Sequence, residues 1–215
     1  MSASLETSAV LDRLAAWLAA ELPEVLAALQ PGATEAELNA LEALTGQPLP
    51  SDVRALYGWR NGQNLDHPAT GPFFGLTFLP LPEVARHWSA WQEVLSSMPE
   101  LGEPDENYTS EPAGAVQPIG ISRGWIGFAY DHGGNHLGID LTPGPTGTAG
   151  QIINFGRDEH ARFVLSASMT GFLEWLASQY EAGNFVIEDE GDGERSLNTR
   201  NPASRHFLDA VRTMF

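Results

Sequence analysis

The sequence has 215 residues, of which 42% are hydrophobic and 18% are charged, and this composition predicts a globular chain rather than a disordered one. Its 28 acidic residues against 11 basic ones give a net charge of −17 without a basic stripe, which argues against direct binding of nucleic acid or of an anionic membrane. The absence of cysteine excludes disulfides, thiolate metal sites and a cysteine nucleophile.

The expected cellular location of the protein follows from the apolar runs of its sequence. The first residues lack the basic and apolar regions of a signal peptide. No run reaches the ~18 apolar residues of a transmembrane helix. We therefore expect a soluble cytoplasmic protein. The acidic charge has two interpretations, since it can maintain solubility or attract a basic protein partner.

The N-terminal part of the chain carries helical patterns. An apolar stripe predicts a helix over residues 8–21, ended by Pro23. Thr34 and Glu37 match a capping box, in which each residue bonds a free amide of the first turn, and the helix that they begin ends at Gly46.

Proline and glycine mark the next elements. Pro50 predicts the start of a short helix, and Asn61 with Gly62 predicts its end, because both residues readily adopt the left-handed backbone of a helix stop. Residues 73–79 are predicted to form a strand.

A longer helix is predicted to begin at Pro82. Its apolar residues recur at steps of three and four, so Trp88 and Trp91 are expected to pack in the core rather than to form a ligand platform. Residues 99–112 are rich in Pro, Glu and Asp and predict an acidic surface loop. Residues 115–121 are a candidate for a further strand.

Residues 124–155 predict a β-meander around which the rest of the chain is organised. A Gly-rich turn at residues 131–135 reverses the chain, and apolar residues alternate with polar ones after it, as in a half-buried strand. The predicted strands of this sheet are 125–130, 136–141, 151–155 and 161–165.

The C-terminal part begins with a helix that Ser168 is expected to cap and Gly183 to end. Residues 185–187 predict a short strand. The charge run at residues 188–194 is most simply a solvated linker, and residues 202–215 predict a terminal helix with one apolar face.

The order of these elements resembles the Smi/Knr family, the founding branch of the SUKH superfamily, over about residues 34–184. The matching motifs are Leu49-Pro50, Asn61-Gly62, the hairpin with Trp125, Phe128, Asp131, Gly134, Asn135 and Asp140, and Gly150-Gln151. The chain departs from the family pattern at Gln63, in the long loop at residues 100–111 and in the tail after Asn184. The expected division is an N-terminal helical extension (1–33), a SUKH-like domain (34–187) and an acidic linker with a C-terminal helix (188–215).

The resemblance implies an α+β fold, in which helices flank a mixed, mainly antiparallel sheet. It also implies a protein-binding module without catalytic activity or cofactor. Fungal members resemble cell-wall assembly regulators, and many bacterial members resemble immunity proteins that neutralise toxins, often nucleases. Because nuclease toxins have basic clefts, the acidic charge favours a toxin-neutralising immunity protein, and a regulatory scaffold is the alternative.

The predicted partner-binding surface combines the turn of the meander, the acidic loop and two aromatic residues. Its members are Trp59, Glu103, Asp105, Glu106, Trp125, Asp131, His132 and Asn135. In this hypothesis the acidic groups steer a basic partner and an aromatic side chain anchors it. The competing interpretation is structural: the tryptophans belong to the core, and Asp and Asn serve the turn.

A metal-dependent hydrolase is the alternative from another functional class. Asp131, His132, Asn135, His136 and Asp140 carry groups that can bind a divalent ion. However, His132 lies in the predicted turn while His136 and Asp140 lie on one strand, and turn chemistry explains the Asp and Asn. The sequence also lacks the Gly-x-Ser-x-Gly and phosphate-loop patterns. We therefore predict neither a metal site nor a catalytic site.

Overall fold

A computed structural model describes residues 3–191 and 193–215. Its helices are α1 (Ala3–Glu21), α2 (Pro23–Ala28), α3 (Glu35–Thr45), α4 (Ser51–Trp59), α5 (Leu81–Ser97), α6 (Met169–Glu181) and α7 (Phe207–Met214), with a 3-10 turn at Pro99–Gly102. Its strands are β1 (Leu29–Pro31), β2 (Arg60–Gln63), β3 (Thr77–Phe78), β4 (Thr109–Glu111), β5 (Trp125–Tyr130), β6 (Asn135–Asp140), β7 (Gln151–Gly156), β8 (Ala161–Ser166), β9 (Phe185–Gly191), β10 (Glu194–Arg200) and β11 (Ala203–Ser204).

The central sheet has six strands in the order β3-β5-β6-β7-β8-β4. All neighbouring strands are antiparallel except β4, which runs parallel to β8. There are two smaller antiparallel sheets. One pairs β1 with β2, and the other has three strands in the order β11-β10-β9. This arrangement confirms the α+β fold with a mixed, mainly antiparallel sheet.

The predicted meander is confirmed as β5 to β8, with strand ends within one residue of the expected ones. The expectation of a half-buried second strand is wrong, because every residue of Asn135–Asp140 is buried. One face of the sheet packs on the main core, and α5 with the loop at residues 113–122 covers part of the other.

The main core lies between the inner face of the sheet and the helices α1, α4 and α6. Fully buried side chains at its centre include Leu56, Phe128, Leu137, Phe172 and Leu173. The helix signals in the sequence act as expected: Thr34 and Glu37 form the reciprocal capping box of α3, and the Ser168 hydroxyl accepts a bond from the Gly171 amide at the start of α6.

Asn61 and Gly62 do not end α4 in the predicted way. The helix ends at Trp59, and both residues belong to β2, which pairs with β1. The Asn61 Oδ1 accepts a hydrogen bond of 2.9 Å from the Leu81 amide at the start of α5. Gly62 has a φ of +70° and lies so close to Pro80 that a Cβ would stand 2.2 Å from the proline nitrogen. This pair therefore fixes where α5 begins.

One other local prediction is confirmed only in part, and two are wrong. The strand expected at 73–79 is limited to Thr77–Phe78, and residues 115–121 form a largely buried loop instead of a strand. The charge run at 188–194 belongs to a hairpin of β9 and β10 rather than to a linker. The two strands pair from Phe185 opposite Thr199 to Gly191 opposite Glu194, with a shift of register between Glu194 and Arg195. Asp192 lies outside the described residues.

Both terminal segments share the main core. Trp17 of α1 stacks on Tyr180 of α6 at 4.1 Å between ring centroids. The predicted terminal helix is confirmed as α7, and its Phe207 lies 5.1 Å from the ring of Phe74. The helix therefore docks on its own chain.

Candidate functional site

The outer face of the central sheet carries two rows of side chains that cross the strands. Tyr130, His136 and Phe155 are direct neighbours on β5, β6 and β7, and so are Trp125, Asp140 and Gln151. Both rows follow from the register of the meander, because paired residues project on the same side of a sheet.

The aromatic row depends on two glycines beside it. A Cβ at Gly138 would lie 2.3 Å from the Phe155 ring, and a Cβ at Gly127 would lie 2.6 Å from the His136 ring. The rings of Tyr130 and His136 are 4.9 Å apart, and those of His136 and Phe155 are 5.2 Å apart. The glycines thus leave the space in which these rings lie flat on the sheet.

His136 is 2% exposed and is held by a histidine of α5. The Arg86 Nη2 lies 2.9 Å from the His87 Nε2, and an arginine can only donate, so His87 donates from Nδ1 to the His136 Nε2 at 2.8 Å. Burial lowers the pKa of His136 to about 3 and also lowers the pKa of His87. The pair is therefore neutral near pH 7 and joins α5 to the sheet.

The second row is a buried polar network. The Asp140 Oδ1 accepts bonds from the Trp125 Nε1 (3.1 Å) and the Thr142 amide (3.0 Å), and its Oδ2 accepts one from the Gln151 Nε2 (2.9 Å). Gln151 also donates to the Ala115 carbonyl, which ties the loop at 113–122 to the sheet. Burial raises the pKa of Asp140 to about 6 in spite of these three donors.

α5 leaves an open groove beside these rows, which we call the α5 groove. Two adjoining hollows of about 290 and 390 Å³ share Trp91, Val94 and Gly134 in their walls. The first is completed by Arg86, His87, Ala90, Tyr130 and His136, and the second by Met98, Leu101, Tyr108, Gly120, Ile121, Gly156 and Arg157. Their volumes are near the lower end of the ~300–1,000 Å³ of ligand pockets.

A buried arginine supports the wall of the second hollow. Arg162 on β8 is 1% exposed, and its guanidinium carbon lies 5.1 Å from the Tyr108 ring and 5.2 Å from the Trp125 ring. Its Nη2 donates to the Gly120 carbonyl at 3.3 Å. Burial lowers its pKa to about 10, so the group stays charged near pH 7. The cation–π contact thus holds the Tyr108 ring, and the hydrogen bond holds Gly120.

The turn residues of the predicted surface serve the chain itself. The Asp131 side chain is only 2% exposed, and it accepts bonds from the Gly133 amide and from the amide and side chain of Asn135. It also lies 3.4 Å from the His206 Nε2, just before α7. Because Asn135 is buried as well, neither side chain presents itself to a partner.

The pKa values of this contact follow from the same bonds. Burial alone would raise the pKa of Asp131, but the bonds from His206, Asn135 and Gly133 outweigh it and hold the pKa far below its usual range. The Asp131 carboxylate in turn raises the pKa of His206, against the effect of burial. We call this contact of α7 with the turn the His206–Asp131 latch.

The aromatic residues of the predicted surface lie apart from each other. The expectation of an exposed Trp125 is wrong, since that residue is 3% exposed and packs under the loop at 113–122. Trp59 is half-buried at the end of α4 and lines a different cleft, with Leu11 of α1 and Arg54. His132 is exposed, but its Nε2 is within 2.8 Å of the Thr77 hydroxyl.

The acidic loop lies at the α5 groove. Glu103, Asp105 and Glu106 are exposed, and the residues that flank them, Leu101 and Tyr108, both line the second hollow. The structure therefore brings the acidic loop and the hairpin, through Gly134, to one groove. The residues missed by sequence reasoning are those of the groove wall, above all Trp91, Met98 and Arg162.

The cluster considered for a metal does not converge. Across residues 3–191 and 193–215, no group of three His, Asp or Glu side chains is placed to hold a metal ion. His132 bonds Thr77, His136 bonds His87, and Asp140 lies in the other cross-strand row. Within the same residues, no helix is long and apolar enough to cross a membrane.

Comparison with known proteins gives one family and several named relatives. The model of the SMI1 / KNR4 family (SUKH-1) matches residues 32–175. The cell wall biosynthesis/cell cycle regulator smi1 of Schizosaccharomyces pombe is 34% identical over 207 residues, which are 93% of this chain and 41% of the relative. The cell wall assembly regulator SMI1 of Saccharomyces cerevisiae is 30% identical over 231 residues, 89% of this chain and 45% of the relative.

A third relative is the glucan synthesis regulatory protein of Neurospora crassa, 28% identical over 208 residues, 83% of this chain and 39% of that protein. The chain thus spans less than half the length of each of these relatives. The match to the fission yeast regulator covers 93% of this chain, so it extends beyond residues 32–175 at both ends. The chain belongs to the SMI1/KNR4 family (SUKH-1).

Proposed function

We propose that this chain is a regulatory protein-binding module, related in role to the cell-wall assembly regulators that it resembles, and that it acts by stoichiometric binding without catalysis. The observation that carries the proposal is the match to a named regulator over 93% of the chain. Since that match includes the segments outside residues 32–175, the similarity concerns the whole described unit rather than a shared fold alone.

The groups beside the α5 groove support binding rather than chemistry. His87 and His136 are neutral near pH 7 and bonded to each other. Asp140 is fully buried and accepts three hydrogen bonds. The remaining wall is mostly aromatic and aliphatic, which suits the anchoring of a partner side chain.

Toxin neutralisation is the second candidate function. It is supported by the net charge of −17, which suits a basic partner such as a nuclease toxin. The names of the relatives favour the regulatory role instead. A gene for a large secreted toxin directly beside the gene of this chain would favour immunity, and its absence together with a partner from the wall-building machinery would favour regulation.

The test is quantitative affinity capture from the source organism, followed by reconstitution of each candidate complex from purified proteins. The bait is the full chain, compared with Met98→Lys in the groove and with Leu65→Lys, which alters an equally exposed apolar residue outside the groove wall. We expect a partner that binds the full chain and Leu65→Lys in a fixed ratio but not Met98→Lys. Equal binding to all three baits would mean that the partner binds outside the α5 groove. Failure to reconstitute any complex would contradict a protein-binding role.

A further inference from the structure

The acidic charge of the molecule is neutralised unevenly. Arginines lie within ion-pair distance of carboxylates on α2, α3, α5, α6 and β9. Across the described residues, by contrast, Glu100, Glu103, Asp105 and Glu106 have no cationic partner within 4 Å. Asp105 accepts hydrogen bonds from the amide and side chain of Asn107, but no cation of the described residues neutralises the charge of the loop after α5.

Glu103, Asp105 and Glu106 lie in the chain between Leu101 and Tyr108, which both line an apolar hollow. Trp91, Val94, Met98 and Leu101 form one wall of the second hollow, and Tyr108 closes it after the acidic residues. Met98 is 43% exposed although it ends the apolar stripe of the α5 segment. A large exposed apolar side chain beside unpaired carboxylates is a combination that a partner with an apolar residue next to a cation would cover.

The opposite rim of the second hollow carries a positive charge. Arg157 lies there beside Gly134 and Gly156, with its only near carboxylate among the described residues, that of Asp158, at 3.8 Å. A cation entering the hollow is therefore attracted toward the acidic loop and repelled from Arg157. The two oppositely charged rims therefore favour one orientation of a charged segment bound across the groove.

We propose that the second hollow of the α5 groove binds a basic peptide segment of the partner protein, with one large apolar side chain placed against Trp91, Met98 and Leu101 and an adjacent Lys or Arg facing Glu103, Asp105 and Glu106. This inference rests on the proposed protein-binding function and adds the chemistry of the partner. The apolar residue supplies the buried contact, and the cation supplies orientation and faster association.

The proposal can be tested before the natural partner is identified. A displayed library of random peptides is selected against the immobilised full chain, and the enriched peptides are synthesised and titrated by calorimetry. We expect enrichment of an aromatic or large aliphatic residue with Lys or Arg close to it. We also expect affinity to fall as salt is raised, because exposed charge pairs are screened.

Two matched sets of variants separate the apolar contact from the charge. Met98→Lys and Met98→Glu replace the same exposed side chain by chains of opposite charge, and we expect the lysine to weaken binding about tenfold more than the glutamate. The triple variant Glu103→Gln, Asp105→Asn, Glu106→Gln should weaken binding about tenfold at low salt and reduce its salt dependence. The control triple Glu6→Gln, Asp12→Asn, Glu21→Gln makes the same change of net charge on exposed positions of α1.

The outcomes distinguish a failure of the basic-peptide inference from a failure of the proposed protein-binding function. Enrichment of acidic or neutral peptides that still lose binding with both Met98 variants would overturn the basic segment and leave protein binding at the groove intact. Equal weakening by the two triple variants would also overturn it, since it would show an effect of net charge alone. No enrichment, together with capture of the same proteins by the full chain and Met98→Lys, would contradict both the inference and the groove as a binding site.

Discussion

The two faces of the central sheet bury different chemistry. The inner face packs Phe128 and Leu137 against Phe172 and the other apolar side chains of α1, α4 and α6. The outer face buries Asp140 and Arg162 beside aromatic rings and is covered only in part by α5. We interpret this difference through the proposed binding function as a division between the faces: the inner face stabilises the fold, and the outer face leaves open the groove that we propose for a partner.

The largest effect is expected from the inner face. Phe172→Ala removes a fully buried ring that lies 5.8 Å from the Phe128 ring, and we expect a loss of about 3–5 kcal/mol in the free energy of unfolding, from lost burial and the cavity left behind. Urea unfolding, monitored by tryptophan fluorescence, measures this loss. Leu65→Ala, at an exposed leucine, is the control and should change stability little. A similar loss in both variants would contradict the assigned division.

The second effect concerns the polar network of the outer face. The pKa of Asp140 is raised to about 6, so the folded chain keeps this proton after the unfolded chain has released it. The contribution of this proton to the free energy of unfolding is complete below about pH 4. It decreases by roughly 2–3 kcal/mol as the pH rises to about 6.

Asp140→Asn removes the titrating group, so the stability of the native chain relative to this variant should fall between about pH 4 and pH 6 and stay constant above. Unfolding curves recorded across this range give the difference. Asp66→Asn, at an exposed aspartate in a loop, is the matched control. A difference between native and Asp140→Asn chains that does not vary with pH would contradict the burial assigned to Asp140.

A smaller effect is expected at the His206–Asp131 latch. The other charged groups that face His206 are Asp209, 4.0 Å from its Nδ1, and Glu159. The raised pKa of His206 means that its contribution is complete below about pH 6.5 and is lost as the pH rises through the raised value. The lowered pKa of Asp131 means that its contribution is present above about pH 4 and is lost only in strong acid.

A double-mutant cycle with His206→Gln and Asp131→Asn isolates this pair. We expect a coupling of about 0.5–1 kcal/mol near pH 6, because the histidine is partly exposed, and almost none near pH 9. Chemical unfolding of the four proteins at both pH values measures it. Equal coupling at the two pH values would show that charge does not hold α7 to the turn.

The smallest effect on stability is expected from the residues that we assign to binding. The triple change at Glu103, Asp105 and Glu106 and the two changes at Met98 affect exposed side chains, so unfolding free energies should stay within about 0.5 kcal/mol of the native value. Thermal unfolding provides the measurement. A loss of several kcal/mol would mean that these residues stabilise the fold, and the comparison of the two faces would then fail.

The sequence predicts most of the fold because its signals are local. The Thr34 capping box and the Ser168 cap each act within a few residues, and both are confirmed. The role of Asn61 could not be predicted in this way, since its side chain bonds the Leu81 amide twenty positions later. The Asn-Gly pair looks the same in a helix stop and in a strand.

The groove is harder to predict for a related reason. The stripe with Trp91 and Met98 has the spacing of a helix that packs on a core, and the spacing does not tell whether the neighbouring layer covers it fully. Trp91 is half-buried in the structure and forms a wall of the α5 groove, so the predicted packing in the core is only partly correct. Trp125 is the opposite case, an expected surface residue that lies under a loop.

Binding at the outer face can be tested most directly by hydrogen–deuterium exchange of the full chain with and without its reconstituted partner, or with a selected peptide. We predict added protection in the second half of α5, in residues 98–108 and at the hairpin around Gly134, with the inner-face helices α1, α4 and α6 unchanged. Protection centred on the cleft beside Trp59, between α1 and α4, would contradict the assignment of binding to the outer face.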